Sequence, residues 1–208
     1  MKSFNRILFF TCVLFSINGN AQDSKVMQEA FAKSFMAEDK GDYKNALQAI
    51  QSIYSDKSYL VNLRIGWLSY LSKDYTNSVV YYKKAIALMP LATEPLWGLC
   101  NPLVAQEKWV ELENNYKLII RFDPKNSLVN YRIGMIYFYR KNYVEAIKYF
   151  DVTLTLFPLD YDAITMSAWT NYYLGKKEEA KVLFIRVLLM YQLDASAIEG
   201  LALCNKKS

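Results

Sequence analysis

The sequence predicts an all-α protein made of stacked helix–turn–helix repeats, and three observations support this prediction. The chain of 208 residues has only 7 glycines and 5 prolines, few for a protein of strands and turns. Three of those prolines, Pro90, Pro124 and Pro158, follow one another at equal intervals. Two nearly identical hexapeptides, VNLRIG at 61–66 and VNYRIG at 129–134, begin two such intervals apart. Self-similarity at a fixed period of about 34 residues is typical of helical repeats.

The first 21 residues are similar to a secretory signal peptide and are predicted not to belong to the fold. Lys2 and Arg6 precede an apolar run at 7–17, and small residues then lead up to Ala21. We therefore expect cleavage after about Ala21 and an exported protein, periplasmic or secreted. The alternative is a lipoprotein anchored through Cys12, which is disfavoured because Cys12 lies inside the apolar run.

The composition of the mature chain excludes several classes of function. Without the signal segment, 23 Lys and Arg stand against 20 Asp and Glu, so the net charge is +3. An excess this small does not favour nucleic acid or an anionic membrane as partner, and no later apolar run has transmembrane length. The chain has no histidine, and it shows no nucleophile–base pair, phosphate loop or metal-ligand cluster. We expect no enzymatic activity, no cofactor and no metal.

Each repeat unit is predicted to contain two amphipathic helices. In the unit 127–160, Ile133 and Tyr137 lie four residues apart, and Ala146 and Phe150 repeat that spacing after a polar break. A hairpin of this kind can bury its apolar face only against neighbours, which predicts a solenoid. The turns between the paired helices are predicted near Lys73–Asp74, Lys141–Asn142 and Gly175–Lys176.

The period divides the mature chain, residues 22–208, into five units and a cap within one predicted solenoid domain. The units cover about 27–58, 59–92, 93–126, 127–160 and 161–194, and residues 195–205 form a capping helix. Terminal elements of this kind are needed because the last repeat has no further neighbour to cover its apolar face.

The positions of small residues and prolines resemble the tetratricopeptide repeat, a helix–turn–helix unit of about 34 residues. With Ser127 counted as position 1, Gly134 occupies position 8, Ala146 position 20 and Pro158 position 32, and Gly66 occupies position 8 of its own unit. The resemblance implies a right-handed α-solenoid and close helix contacts at the two glycines. It also implies a non-catalytic scaffold that binds protein or peptide partners in its concave groove.

In this family, positions 2, 5, 9 and 12 of each first helix line the concave groove. Positions 5, 9 and 12 of the four units from residue 59 onward mostly carry aromatic residues or methionine, and together we call these residues the predicted row. The row consists of Leu63, Trp67, Tyr70, Trp97, Asn101, Val104, Tyr131, Met135, Phe138, Thr165, Trp169 and Tyr172. Such residues are either plain core or a surface that buries a partner. A glycan stacked on the aromatic faces is the alternative ligand.

The two copies of the hexapeptide place Arg64 and Arg132 at position 6, beside the predicted row. Some members of the family clamp a partner's terminal carboxylate with basic groups near this position. The units 93–126 and 161–194 have Gly98 and Met166 there, so a complete clamp is not predicted. Either the arginines pair with nearby acids or stay solvated, or they receive acidic groups of a bound segment.

The unit 93–126 departs most from the pattern. Cys100 replaces the small residue at position 8, Leu112 stands at position 20, and Pro102 falls inside the first helix. Proline lacks an amide donor and clashes with the carbonyl four residues earlier, here that of Gly98. We expect a kink or a shortened helix between these two residues, either as local repacking or as a bend that reshapes the groove.

Two cysteines remain in the mature chain, Cys100 and Cys204. In an exported protein such a pair can form a disulfide. A solenoid keeps distant repeats apart, because each repeat contacts mainly its neighbours. We therefore expect two separate buried thiols.

Overall fold

A computed structural model of the chain describes residues 21–206, and the predicted signal peptide lies outside them except for Ala21. The described residues form eleven α-helices and no strand, so the fold is the predicted all-α solenoid of helical repeats. The helices are α1 (Ala21–Glu38), α2 (Tyr43–Gln51), α3 (Tyr59–Leu71), α4 (Tyr75–Leu88), α5 (Glu94–Ala105), α6 (Trp109–Phe122), α7 (Ser127–Tyr139), α8 (Tyr143–Leu156), α9 (Tyr161–Tyr173), α10 (Lys177–Met190) and α11 (Ala195–Asn205).

The chain divides into two compact units between Ile53 and Tyr54. The first contains α1 and α2, which pack against each other as a hairpin. Ala46 and Ile50 of α2 are fully buried. Helix α1 begins at Ala21, six residues before the start predicted for the first repeat.

The second unit contains α3 to α11, and its helices pair in chain order. The helices pack in the pairs α3–α4, α5–α6, α7–α8 and α9–α10, and α11 packs on α9 and α10. First helices also contact the first helix of a neighbouring repeat, as α3 does with α5 and α7 with α9. Within residues 21–206, no helix is long and apolar enough to cross a membrane.

Periodic side-chain caps set where the first helices begin. Ser58, Asn126, Asp160 and Asp194 each accept a hydrogen bond from the backbone N–H three residues ahead. Such a bond satisfies one of the amides that have no partner inside the helix. Thr93, which precedes α5 in the deviant repeat, makes no such bond, and α5 starts one repeat position later than its counterparts.

The turns lie where they are predicted. Lys73, Lys141 and Gly175 adopt φ angles of 63°, 59° and 79°, and Glu107 adopts 55° at the matching place in the deviant repeat. This left-handed conformation ends a helix sharply and suits glycine best. Three of these four turns therefore place a side chain where only glycine is unstrained.

The core forms where an aromatic side chain of a second helix meets a glycine of a first helix. A Cβ atom added to Gly134 would lie 2.6 Å from the ring of Phe150, and one added to Gly66 would lie 3.0 Å from the ring of Tyr82. Both rings are buried. The close contacts predicted at the two glycines are confirmed, because no larger side chain fits there without displacing its neighbour.

Helix α5 passes through Pro102 without ending. It continues to Ala105, the same repeat position at which α3, α7 and α9 end. Of the two expected outcomes, a kink or an early helix end, the early end does not occur. Pro102 is itself buried, next to the buried Leu103. Packing of this apolar face holds the helix despite the missing amide donor, since tertiary contacts supply most helical stability in proteins.

The two cysteines of the described residues are buried free thiols, as the solenoid predicts. Cys100 lies in a core cluster formed by α4 to α7. Cys204 lies in a second cluster formed by α9 to α11. Each thiol belongs to its own section of the core.

Candidate partner-binding site

A cleft of about 570 Å³ opens between α5, α6 and α7. Its volume lies in the range of sites that take small ligands or protein side chains, roughly 300–1,000 Å³. We call it the α5–α7 cleft. It is lined by Val104, Trp109, Leu112, Tyr116, Arg132, Met135, Ile136, Tyr139 and Arg140.

The wall of the α5–α7 cleft is mainly apolar and partly open to solvent. Val104 is 40% exposed, Trp109 45% and Tyr139 74%. Large apolar side chains that remain exposed around a concave surface mark interaction sites. The polar groups of the wall include the Tyr116 hydroxyl and the guanidinium groups of Arg132 and Arg140.

The predicted row contributes Val104 and Met135 to this cleft, and Arg132, which was predicted beside the row, lines it as well. The prediction missed Trp109 and Tyr139, because it considered only positions 2, 5, 9 and 12 of the first helices. Trp109 opens a second helix and Tyr139 ends a first helix. A large aromatic residue at each of these exposed helix ends was the available signal.

Other members of the row belong partly to the core. Leu63 and Trp97 are half-buried and pack against the cluster formed by α4 to α7. Trp169 and Tyr172 pack in the same way against the cluster formed by α9 to α11. The indole N–H of Trp169 donates a hydrogen bond to Ser196 Oγ at 2.8 Å, which ties α9 to the capping helix.

The remaining members of the row lie nearer the surface. Trp67 and Asn101 are exposed, whereas Tyr70, Tyr131, Phe138 and Thr165 are half-buried. Phe138 joins an aromatic cluster in which the rings of Tyr143 and Tyr173 stack with centroids 4.9 Å apart.

The two repeated arginines have different surroundings. Arg64 is 7% exposed, whereas Arg132 is exposed and its Nη1 donates to the Tyr116 hydroxyl at 3.0 Å. No carboxylate of residues 21–206 forms an ion pair with Arg132. Burial raises the pKa of Tyr116, so its hydroxyl is a neutral acceptor. The positive charge of Arg132 is therefore not neutralised within the described chain.

Position 6 of the first helix carries glycine in some repeats and a long side chain at the cleft. A Cβ atom on Gly98 would lie 2.3 Å from the Tyr82 ring, and one on Gly200 would lie 2.1 Å from the Phe184 ring. These glycines let the next repeat approach the preceding aromatic ring closely. Arg132 occupies the same position, and α7 packs less extensively on α6 than α5 packs on α4. An arginine side chain thus lines the cleft at the repeat position where Gly98 and Gly200 lie against aromatic rings.

The carboxylate of Glu113 on α6 links this helix to side chains of α7 and of the residue that follows it. It is buried and accepts hydrogen bonds from Lys117 Nζ at 2.6 Å, from the Tyr137 hydroxyl at 2.8 Å and from Arg140 Nη1. Burial by itself raises the pKa of Glu113, but the three donors outweigh it and lower the pKa to about 2. Arg140 therefore has an acidic partner, and Arg132 is the arginine of the cleft that has none among the described residues.

The chemistry of the cleft is suited to binding. Its polar groups include two guanidinium groups and phenols, which donate hydrogen bonds but are neither bases nor strong nucleophiles near neutral pH. Throughout residues 21–206, no group of three or more His, Cys, Asp or Glu side chains could hold a metal ion.

Comparison with known proteins supports the same repeat. Residues 129–160, which coincide with most of α7 and with α8, match the family model described as Tetratricopeptide repeat. No curated protein matches the chain in sequence.

Solved structures share the fold at low sequence identity. A tetratricopeptide repeat protein from Parabacteroides merdae has a TM-score of 0.70 at 18% identity, covering 86% of this chain and 72% of that one. MamA protein has a TM-score of 0.69 at 16% identity, covering 82% and 98%. YrrB, described as a tetratricopeptide-repeat protein with an unusual peptide-binding site, has a TM-score of 0.68 at 13% identity, covering 85% and 96%.

Proposed function

Because this chain is a tetratricopeptide-repeat protein, we propose that it is a non-catalytic scaffold that binds a segment of a protein partner along its first helices. Repeats of this type stack into extended surfaces that serve mainly for binding. The likeness to YrrB, a protein of this fold with a peptide-binding site, supports a peptide or protein as the ligand.

The observation that carries the proposal is the α5–α7 cleft. It combines an apolar wall, exposed aromatic side chains and a guanidinium without an acidic partner in the described chain, all in one concave site. Protein interfaces are enriched in these residue types, and a few buried aromatic anchors usually supply most of the affinity. The rest of the predicted row extends the binding surface along the first helices, and a partner with acidic groups suits the arginine.

The place of action that we propose is the cell envelope, in the periplasm or outside the cell. The support is the segment 1–21, where two basic residues, a short apolar run and a small residue at Ala21 follow the order of a secretory signal. Expression of the full chain with N-terminal sequencing of the extracellular or periplasmic product tests this proposal. A product that retains residues 1–21 and stays inside the cell would contradict it.

Site-specific photocrosslinking tests the binding surface. Tyr139 lies in the cleft and is 74% exposed, and Val144 lies on the second helix α8 and is 58% exposed. Replacing each in turn with p-benzoylphenylalanine gives two matched probes five positions apart. We expect Tyr139→p-benzoylphenylalanine to crosslink a discrete partner in the native envelope, and the Val144 probe not to do so. Crosslinks from the Val144 probe alone would mean that the partner binds to the second helices instead.

A glycan is the second candidate ligand, favoured by the exposed aromatic rings. Tyr173, which stacks on Tyr143, is 50% exposed, and Tyr139 is more exposed still. A glycan array probed with the mature chain separates the two functions. Binding to a defined glycan that is lost in Tyr173→Ala, with no crosslinked protein from the Tyr139 probe, would favour the glycan over the peptide.

A further inference from the structure

We propose that the α5–α7 cleft recognises a two-part element of its partner: one large apolar side chain with an aspartate or glutamate beside it. The apolar side chain enters between Trp109 and Met135, and the acidic group pairs with Arg132. This inference rests on the proposed function and deepens it, because it states the partner's chemistry and assigns the charge recognition to one arginine.

The first step of the argument concerns Arg132. A guanidinium offers five N–H donors, and among residues 21–206 this one donates a single hydrogen bond, to the neutral hydroxyl of Tyr116. Arg132 lines a cleft that has no acidic residue among the residues that line it. A guanidinium binds a carboxylate with two parallel hydrogen bonds, so a carboxylate is the complementary group.

The second step separates Arg132 from the other cations. Arg140 and Lys117 already share the buried carboxylate of Glu113, whose low pKa of about 2 keeps it ionised. Arg64 is buried and does not line the cleft. Charge complementarity at this site therefore depends on one guanidinium and calls for one acidic group.

The third step concerns the apolar part. Trp109, Met135 and Ile136 lie on α6 and α7 and line the same cavity of about 570 Å³. Sites of this size take large apolar groups. Because Met135 and Arg132 lie one helical turn apart on α7, the apolar anchor and the carboxylate must be close together in the partner.

The experiment is selection from a random heptapeptide phage library on the mature chain, on Arg132→Gln and on Arg121→Gln. Glutamine keeps a donor for the Tyr116 hydroxyl but removes the charge. Arg121 is an exposed arginine near the end of α6 that does not line the cleft, which makes it a matched control. Circular dichroism verifies that each variant is folded.

We expect the wild type and Arg121→Gln to enrich peptides with a large apolar residue beside Asp or Glu. Arg132→Gln should retain the apolar preference and lose the acidic one. By fluorescence anisotropy, an enriched peptide should bind Arg132→Gln about tenfold or more weakly, since hydrogen bonds to charged groups carry this much affinity. A version of this peptide with its Asp changed to Asn, or its Glu to Gln, should bind wild type and Arg132→Gln equally weakly, because it can no longer form the ion pair with Arg132.

The outcomes separate the two proposals. Enriched peptides that bind Trp109→Ala far more weakly than wild type show that the cleft is a peptide site. The two-part inference is nevertheless wrong if these peptides contain no acidic residue, or if they bind Arg132→Gln as tightly as wild type. If no peptide is enriched, or if enriched peptides bind Trp109→Ala as tightly as wild type, the peptide-binding function of the cleft fails as well.

Discussion

The guanidinium of Arg132 donates a hydrogen bond to the hydroxyl of Tyr116 at 3.0 Å, across the junction between α6 and α7. The corresponding pair at the junction between α4 and α5 is Gly98 against the ring of Tyr82. One position of the repeat thus gives close packing when it is glycine and a polar bridge beside a cleft when it is arginine. At these two junctions the glycine lies against an aromatic ring, whereas the arginine bonds to a hydroxyl beside the α5–α7 cleft.

Gly98→Ala should destabilise the protein by roughly 1–3 kcal/mol, the usual cost of overpacking. The added Cβ would lie 2.3 Å from the ring of Tyr82, which is buried and cannot move away freely. Urea unfolding monitored by circular dichroism measures the change. Asn101→Ala, at an exposed site on the same helix, is the control and should stay within about 0.5 kcal/mol of wild type. Equal stability of the two variants would contradict the tight contact.

Glu113→Gln should destabilise the fold at pH 7 by an amount on the order of 2–3 kcal/mol, because it removes the acceptor charge shared by three donors. The pKa of Glu113 is about 2 in the folded protein against a reference of 4.5. Because the pKa is lower in the folded protein, the ionised carboxylate contributes its full stabilisation when the pH is above the unfolded-state pKa. This contribution is lost as the pH falls through about 2.

Urea unfolding of wild type and Glu113→Gln between pH 7 and pH 3 therefore checks both the size of the difference and its direction. The difference in the free energy of unfolding between the two proteins should decrease as the pH falls below about 4.5. Glu111→Gln removes an exposed ion pair with Lys83 and is the control, with a cost of at most about 1 kcal/mol. A gap that is constant or grows toward acid pH would mean that Glu113 does not carry the charge network.

Both core thiols should be unreactive in the native protein and free in the unfolded one. Burial raises the pKa of Cys100 to about 11 and also raises the pKa of Cys204. The thiolate is the reactive form, so iodoacetamide at pH 8 should label neither site until denaturant is added. Mass spectrometry of peptides measures the labelling. A Cys100–Cys204 crosslinked peptide from the unreduced protein would overturn the solenoid arrangement, since a disulfide requires Cα atoms within about 7 Å.

Lys141→Gly should leave the fold intact and raise its stability by up to about 1 kcal/mol. Lys141 has a φ of 59°, a conformation that costs an L-residue with a side chain more than it costs glycine. The gain is partly offset by the greater freedom of glycine in the unfolded chain. Gly175→Ala, at the matching turn with φ 79°, is the reverse experiment and should lower the melting temperature. Stability changes of the same sign in both variants would contradict the strain argument.

The repeat architecture was predictable because its signals are local. Prolines such as Pro124 and Pro158 and turn residues such as Gly175 act within a few residues of themselves, and each recurs at the repeat period. The cleft was not predictable in the same way. Arg64 and Arg132 occupy the same place in nearly identical hexapeptides, yet one is buried and the other exposed. Their difference lies in the residues that neighbouring helices present to them, which no local pattern contains.

Truncation of Trp169 should mainly lower the stability of the fold, whereas truncation of Trp109 should mainly lower the affinity for a peptide. Trp169 bonds to Ser196 and lies edge-on to the buried Phe184, with ring centroids 5.1 Å apart, so Trp169→Ala should cost about 2 kcal/mol or more of stability. Trp109 is 45% exposed in the cleft wall, so Trp109→Ala should cost less than about 1 kcal/mol. Binding of a cleft-selected peptide should instead fall by about 2 kcal/mol in Trp109→Ala, the loss typical of an aromatic anchor.

Urea unfolding and anisotropy titration on the same protein preparations provide both measurements. Ser196→Ala removes only the hydrogen bond to the indole and should lower stability by about 1 kcal/mol without affecting peptide affinity. The row was predicted to include Trp169 as a partner contact, and the test decides this directly. If Trp169→Ala weakens the peptide as much as Trp109→Ala while the protein keeps its stability, the partner extends along α9 and the indole is an anchor rather than a support for the capping helix.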